Sequence, residues 1–488
     1  MSFRLYNSFS KKEEVFVPSH AGEVSMYTCG PTVYGRPHIG NYSSFLMADL
    51  LRRWLEVSGY RVTHVKNITD VGHLVADADE GEDKIERQAR EENIDPLSIA
   101  RKYTEQYLAD ERALGLIEPE YRPKATETIP EMIEIIRTLV ERGSAYETED
   151  GVYFSVETFP SYGALSGNTL EQLNAGARIE VNERKRHPAD FALWKKTVGS
   201  NAKHLLKWPS PWGEGFPGWH IECSAMSRKH LGLTVDIHTG GEDNIFPHHE
   251  CEIAQSECSG SHPFVRYWLH RRRIEIVARE DGHDDAGAAK MSKSLGNVLS
   301  IDDIIARGYS PMDLRYLLLS VHYRTRLKFS WKGMDDAKKA RLRILEWMTE
   351  KEERFGCKSP TELPTLLRHT SSPYIDQFRA AMDDDLNVSA ALATVFDTIT
   401  QTRRSTVSSQ EQCAIGECIA MIRHTFGCFH PHESVNDDIP ADIRELFTER
   451  EAARSAKNFQ KSDDIRATLE EKGFIVTDGP EGSRLKRA

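Results

Sequence analysis

Two short strings in this 488-residue chain carry the residue types that handle phosphate. The first is Pro37-His38-Ile39-Gly40-Asn41, at the head of a stretch whose apolar residues recur with helical spacing. A helix N-terminus offers free N–H groups and the positive end of the dipole, so a phosphate docks there. An imidazole at that point donates to phosphate oxygens as charge builds in a phosphoryl transition state, and Gly40 leaves room for a flat ring against the backbone. A helix cap with an incidental histidine would look the same. The second string is Lys290-Met291-Ser292-Lys293-Ser294, followed by Leu295-Gly296-Asn297. Two lysines flanking small hydroxyls, with a glycine just beyond, make a cationic loop able to fold over a triphosphate. An ordinary solvated basic loop has the same composition.

Both strings need elements that aim them at one place. Glu23–Cys29 reads as a strand, followed by a loop with Gly30, Pro31, Gly35 and Pro37. Met47, Leu50, Leu51, Trp54 and Val57 then form the apolar face of a helix that ends before Gly59. Arg61–Thr69 reads as the next strand. Strand, glycine loop, helix, strand opens an α/β nucleotide-binding unit. A second unit comes late, with Thr234–His238 as strand, Gly240-Gly241 as turn and Pro247–Glu257 as helix. Between them, roughly 121–212, lies an insertion with a hairpin, Ser144–Val156, around Asp150-Gly151. After about residue 335 the chain is helical, with Leu342, Leu345 and Met348 on one face. Thr361–Pro373 and His430–Pro440 read as linkers. The segment from about 440 to 488 reads as a charged helix pair with a basic tail, Arg484-Leu485-Lys486-Arg487.

Composition narrows the class. The length suggests about three domains at ~150 residues each. A hydrophobic fraction of 39% and a charged fraction of 28% are those of a soluble protein, and no run is apolar enough to cross a bilayer. With 63 basic and 75 acidic residues the net charge is −12, which disfavours a nonspecific nucleic-acid coat but leaves room for a local basic face on a folded RNA. Met1–Tyr6 lacks the features of a signal or transit peptide, so a cytoplasmic protein is expected. The eight cysteines include no tight CxxC pair, so reduced thiols are expected and any metal must draw ligands from distant positions.

HIGN and KMSKS resemble the HIGH and KMSKS signatures of class I aminoacyl-tRNA synthetases. Further strings are similar to those of the cysteinyl-tRNA synthetase family. In the first half these are Tyr27-Thr28-Cys29-Gly30-Pro31-Thr32-Val33-Tyr34 and Asn67-Ile68-Thr69-Asp70. In the second half they are Gly218-Trp219-His220-Ile221-Glu222-Cys223-Ser224-Ala225-Met226 and Phe246-Pro247-His248-His249-Glu250. The likeness runs on through Arg315–Tyr323, Ala381–Asn387 and Asp478-Gly479-Pro480. It implies a split Rossmann-like class I nucleotide-binding domain with an inserted connective domain, followed by a helical bundle and a small anticodon-binding domain. The expected bounds are 1–120 and 213–270 for the two catalytic halves and 121–212 for the insertion. Residues 271–335 would hold the KMSKS loop and stem-contact region, 336–438 the bundle, and 439–488 the anticodon-binding region.

The resemblance also implies a metal site. His248 and Glu252, four apart, share a helix face; with Cys29 and Cys223 they form a plausible Zn²⁺ shell. On residue type alone the two cysteines could equally be small core hydrophobes and His248 a satisfied core histidine. These four positions match the family's zinc ligands one for one, and one zinc per chain is expected. Serine is nearly isosteric with cysteine, so a shape-only pocket discriminates poorly; a soft metal prefers thiolate to hydroxyl. By the same resemblance, His38, Asn41, Lys290 and Lys293 are expected to be catalytic. His38, Gly40, Asp243 and Lys293 would bind ATP, accompanied by Mg²⁺, while Thr69 and Trp219 would line the cysteine pocket. The expected substrates are L-cysteine, ATP and the tRNA for cysteine, with the protein a monomer.

Five features depart from or complicate that pattern. Asn41 stands where the family usually has histidine. Arg271-Arg272-Arg273 and the polar stretch Arg279–Ala289 lengthen the approach to KMSKS. Leu485 stands about where the family usually has a tryptophan, so base stacking in anticodon recognition would be weaker or supplied elsewhere. Cys251 beside Glu252 is expected to be outside the ligand shell, and the acidic stretch Asp77–Lys84 to be a solvated loop. Two alternatives remain at this stage. One is a ligase joining cysteine to an amino sugar, against which the 440–488 segment speaks. The other is a degenerate paralogue that only binds tRNA or zinc.

Overall fold

The first strand unit and the late one build a single four-stranded parallel sheet. Its strands are β1 (Glu23–Thr28), β2 (Arg61–Lys66), β3 (Val235–Gly241) and β4 (Val265–Arg271), in the order β4-β3-β1-β2. Helix α1 (Ile39–Val57) connects β1 to β2, α2 (Trp219–Leu231) precedes β3, and α3 (Glu250–Ser259) connects β3 to β4. The two crossovers leave the β1–β3 pair in opposite directions, which opens a crevice at the carboxyl ends of those strands. The structure is a computed structural model describing residues 2–72, 74, 83–169, 172, 183–260, 263–276, 289–290, 298–355, 371–403, 408–430, 441–456, 458–479 and 482–487.

Three element bounds differ from the sequence reading by three residues, each for a local reason. The strand expected over Arg61–Thr69 stops at Lys66. Asn67 instead turns its Oδ1 to accept the Gly30 N–H at 2.8 Å, and a Cβ on Gly30 would lie 1.7 Å from the Asn67 carbonyl oxygen. Gly240 and Gly241, expected as a turn, extend β3 by pairing with His270 and Arg271. A Cβ on Gly240 would meet the His249 ring at 2.7 Å, so glycine is what lets that strand and ring coexist. The helix expected from Pro247 begins at Glu250, after a separate turn over Ile245–His249. Phe246, directly before proline, is extended at φ −139° and ψ 134°, the conformation that proline imposes on its predecessor.

The chain divides into two compact units, Met1–Cys428 and Phe429–Ala488. Within the first, the insertion supplies a helix, Ile129–Glu141, and the strands Ala145–Glu147, Gly151–Phe154 and Phe191–Lys196 of an antiparallel sheet, which Gly215–Pro217, just past the expected end at 212, completes. The hairpin around Asp150-Gly151 forms as expected. The insertion shares one core with the parallel sheet, in which Ile136, Phe154 and Trp194 pack with Val65, Ala225 and Trp268. Helices Trp331–Phe355, Pro373–Asp383, Val388–Thr402 and Ser409–Phe426 follow, and Leu345 and Met348 are buried.

A buried ionic knot joins three parts of this unit. Asp49 on α1 accepts from Arg53 Nε at 2.7 Å, Arg315 Nη2 at 2.5 Å and the Ile117 N–H at 2.7 Å. Arg315 also donates to the Leu114 and Phe426 carbonyls. Every polar group of this knot thus has a partner, as burial requires.

The second unit contains helices Ala441–Ser455 and Phe459–Glu471, the pair read from the sequence. Its end is not a free basic tail but a hairpin, Phe474–Gly479 with Gly482–Arg487. Leu485 pairs opposite Val476 and packs on the small core of Ile443, Ile465, Leu469 and Phe474, so it is a structural side chain rather than a stacking platform. The two linkers fall largely on 356–370 and 431–440, outside the described residues. Residues 77–82 of the acidic stretch also lie outside them, but Asp83 does not fit a solvated loop. It is buried and caps helix Lys84–Glu92 through the Ile85 N–H at 2.7 Å. Among the described residues no helix is long and apolar enough to cross a membrane.

Candidate active site and metal centre

The crevice at the ends of β1 and β3 gathers most of the residues singled out by sequence. Cys29 follows β1 directly and Cys223 sits on α2, and their sulfurs are 3.9 Å apart. His248 lies in the turn before α3 and Glu252 in its first turn, and His248 Nε2 is 3.1 Å from Glu252 Oε1. Glu252 Oε1 is 3.7 Å from Cys29 Sγ. One ligand atom from each of the four residues falls within 4.8 Å of the others, and all four are buried. Two thiolates on a tetrahedral zinc, each about 2.3 Å from it, stand roughly 3.8 Å apart. The observed sulfur spacing meets that requirement.

Electrostatics prepare the set for a cation. Burial drives the Cys29 thiol well above its usual range, reinforced by its hydrogen bond to Cys223. Burial also raises Cys223, yet the hydrogen bond from Cys29 and the charge of His248 outweigh it and bring that thiol to about 6. For His248, burial is overcome by Cys223 and Glu252, which lift the imidazole to about 10. For Glu252, burial is overcome by His238 and His248, which lower the carboxyl to about 2. The four donors thus hold one another's protons in hydrogen bonds, and an incoming metal would displace those protons.

Sequence reasoning missed three histidines around this set. His249 Nε2 lies 3.3 Å from Cys29 Sγ and its Nδ1 2.8 Å from His270 Nε2. His238 Nε2 lies 3.1 Å from Glu252 Oε2. With Cys29 and Glu252, His238 and His249 form a second cluster of possible metal ligands. The His248-His249 pair in the quoted string was the available signal for one of them; His238, inside a strand, gave none. Cys251 points elsewhere, pairing with Tyr162 of the insertion at 3.5 Å, with its thiol raised by burial. Glu250 accepts the Gly163 and Ser166 N–H groups at 2.8 and 2.9 Å, which fixes the roll of α3 so that Glu252 faces Cys29.

The expected pocket residues border the metal set. Trp219 is half-buried, and its ring stacks on His248 at 4.4 Å between centroids, so it is not a core aromatic. Thr69 is buried and its Oγ1 donates to Glu222 Oε2 at 2.9 Å. Glu222 Oε1 is buried without a hydrogen-bond partner among the described residues.

His38 and Asn41 begin α1 as a reciprocal cap. The Gly40 N–H donates to His38 Nδ1 at 3.1 Å, and Asn41 Oδ1 accepts the His38 N–H at 3.0 Å. The bland reading of His38 as a helix cap is therefore true, and it leaves Nε2 as the nitrogen not engaged in the cap. Asn41 is exposed at the third helical position, where its amide does the work of the glutamate or glutamine of a capping box. The Ile39 N–H donates to the Leu299 carbonyl at 2.9 Å, and Arg36 bridges Asp110 and Asp302. The first signature is thus tied to the chain emerging from the second. Asp243 is exposed just beyond β3. Lys290 is described only in its backbone, which pairs with Glu275; Lys293 lies outside the described residues.

Comparison with known proteins finds matches along most of the chain. Residues 15–339 match the family described as tRNA synthetases class I (C) catalytic domain, 377–427 a DALR domain, and 436–484 a cysteinyl-tRNA ligase anticodon binding domain. A cysteine–tRNA ligase of Thermus thermophilus is 41% identical over 496 residues, covering 100% of this chain and 99% of that protein. One from Symbiobacterium thermophilum is 42% identical over 499 residues, covering 100% of both. Among solved structures, the ternary complex of Agrobacterium radiobacter K84 LeuRS with tRNA and LeuAMS superposes with a TM-score of 0.56 at 11% identity, covering 86% of this chain and 85% of that one. The last likeness speaks to the fold alone.

Proposed function

The chain belongs to the class I cysteine–tRNA ligase family, and from that premise we propose that Cys29, Cys223, His248 and Glu252 hold a Zn²⁺ that selects cysteine. Its activity is that of an aminoacyl-tRNA synthetase. Cysteine and ATP give cysteinyl-adenylate and pyrophosphate, and the cysteinyl group then passes to the 3′ end of tRNA. The whole-length matches, including the anticodon-binding domain, favour tRNA over an amino sugar as acceptor.

The observation that carries the metal reading is the buried four-donor set with its 3.9 Å sulfur spacing. When bound, Zn²⁺ would supply a soft Lewis acid that prefers a thiolate to a hydroxyl. Trp219, stacked on His248, walls the pocket, and the Thr69–Glu222 pair borders it. The substrate carboxylate attacks the α-phosphorus, and the bond to the pyrophosphate oxygen breaks. His38 meets the phosphate oxygens at the α1 N-terminus, where the dipole adds to its hydrogen bond. Asn41 holds that histidine by capping its N–H. Lys290 and Lys293 neutralise the departing pyrophosphate together with Mg²⁺, Gly40 gives the adenine space, and Asp243 contacts the adenosine side. The insertion at 121–212 and the regions 271–335, 336–438 and 439–488 keep the duties given to them above. The protein acts in the cytoplasm as a monomer.

Cysteine-dependent ATP–pyrophosphate exchange, followed by charging of purified tRNA with serine as control, tests this reading. Cysteine-specific charging with about one zinc per chain supports it. Serine charged comparably, or full activity without metal, would sink it.

A further inference from the structure

The Arg271-Arg272-Arg273 run has no role in the reaction outlined above, yet the structure gives each arginine a defined partner. Arg271 is buried at the end of β4 and donates to Ser43 Oγ at 2.8 Å and to the Leu318 and His322 carbonyls at 3.1 and 2.9 Å. Arg272 Nη1 donates to Glu242 Oε2 at 2.9 Å, and Arg273 Nε donates to Oε1 of the same carboxylate. The Glu242 side chain is only 6% exposed, whereas those of Arg272 and Arg273 are 51% and 34% exposed. The carboxylate is therefore the sheltered anchor and the guanidiniums are what it holds.

What lies on each side of this pair gives it meaning. Glu242 follows the Gly240-Gly241 end of β3 and immediately precedes Asp243. Arg273 leads directly into the strand Ile274–Ile276, which pairs antiparallel with Ala289–Lys290, Glu275 facing Lys290. That strand also pairs parallel with Leu327–Phe329. A ladder with only two residues on one side is too short to fix its own position, so its register depends on where Ile274–Ile276 is held. Both oxygens of one carboxylate bind guanidiniums of adjacent residues, an arrangement that restrains direction as well as distance.

We infer that Glu242 is a positioning residue for adenylate formation: by holding Arg272 and Arg273 it fixes the strand that sets the Lys290 backbone relative to Asp243. This rests on the roles proposed above for Asp243 and Lys290. It also explains why the approach to the lysine signature carries three arginines here. One secures the strand end to the helical side, and two secure it to the nucleotide-side turn.

The test uses the full zinc-loaded chain and follows ATP–pyrophosphate exchange separately from transfer of preformed cysteinyl-adenylate to tRNA. For Glu242→Gln, kcat of exchange is expected to fall about 10- to 100-fold, the scale of an ångström-sized misplacement. KM for cysteine, zinc content and the transfer rate are expected to stay at wild-type values, because pyrophosphate has already left before transfer. Glu242→Asp is expected to recover part of the loss. Arg272→Gln/Arg273→Gln is expected to reproduce it, with the triple variant no slower than either, and it gives the same test if Glu242→Gln does not fold. Wild-type exchange in these variants, strictly multiplied losses, or a transfer step slowed by the same factor would overturn the inference. A wild-type chain inactive in exchange would overturn the roles of Asp243 and Lys290 and the inference with them.

Discussion

Cys29 Sγ lies 3.9 Å from Cys223 Sγ although they are 194 positions apart, and the packing of α2 on the parallel sheet brings them together. One sulfur ends the first strand, the other rides the helix that precedes the third. Either cysteine could be replaced by serine without crowding the core, which makes the metal account directly testable. Cys29→Ser and Cys223→Ser are each expected to lower zinc content from about one per chain to a small fraction. Metal analysis of the folded variants checks this; unchanged zinc would contradict it.

The histidines behind the set are expected to tune it. His249 stands between Cys29 and His270, and partners of this kind tune metal affinity about 10- to 100-fold when removed. His249→Ala is expected to bind zinc that much more weakly in a chelator competition while still folding. Affinity equal to wild type would show that His249 only fills space.

At the head of α1, His38 and Asn41 separate chemistry from capping. His38→Ala is expected to cost about 1 kcal/mol of stability as a lost cap, and to slow adenylate formation by about 10²–10³ as a lost phosphate donor. Asn41→Ala is expected to lose the cap but to slow the reaction far less. Thermal melts and single-turnover adenylate formation distinguish these outcomes, and equal rate losses in both variants would contradict the division of roles.

The Asp49–Arg53–Arg315 knot is expected to dominate the response to single substitutions in the first unit. Arg315→Met leaves a buried carboxylate short of one partner, a change that costs about 3–5 kcal/mol. Burial raises the Asp49 carboxyl, but Arg53 and Arg315 outweigh it and hold it well below the usual range. A depressed folded pKa means stability present above about pH 4 and lost as pH falls through the folded value. Acid unfolding of wild type and variant checks the sign: the variant is expected to lose part of that acid-side slope.

Asp83 works in the opposite sense. Burial pushes its carboxyl up to about 6, against the pull of the Ile85 N–H. The folded state then holds a proton that the unfolded chain, at about 3.9, has released. Stability from this group is full below about pH 4 and is lost as pH rises through about 6, by roughly 2–3 kcal/mol. Asp83→Asn keeps the cap and is expected to flatten that part of the profile. Denaturant titrations at several pH values decide it.

The frame of the candidate site was legible because it is built from local strings: HIGN, the strand before Cys29, the WHIECSAM helix. His248 and Glu252 could be paired from spacing alone. What could not be read is what only the folded sheet brings together. His238 approaches Glu252 from within a strand, and Glu242 finds Arg272 and Arg273 across the β3–β4 edge. Gly240-Gly241 looked like a turn because glycine usually breaks strands; here its missing side chain admits the His249 ring. Leu485 looked like a lost stacking residue, but strand pairing turns it onto a core.

The most direct test of the central claim is X-ray absorption at the zinc edge, on the purified chain alone, with cysteine, and with serine. The expected result is about one zinc per chain with two sulfur neighbours at about 2.3 Å, rising to three with cysteine and staying at two with serine. A zinc whose sulfur count ignores cysteine, or a folded, active chain that binds no zinc, would contradict the account.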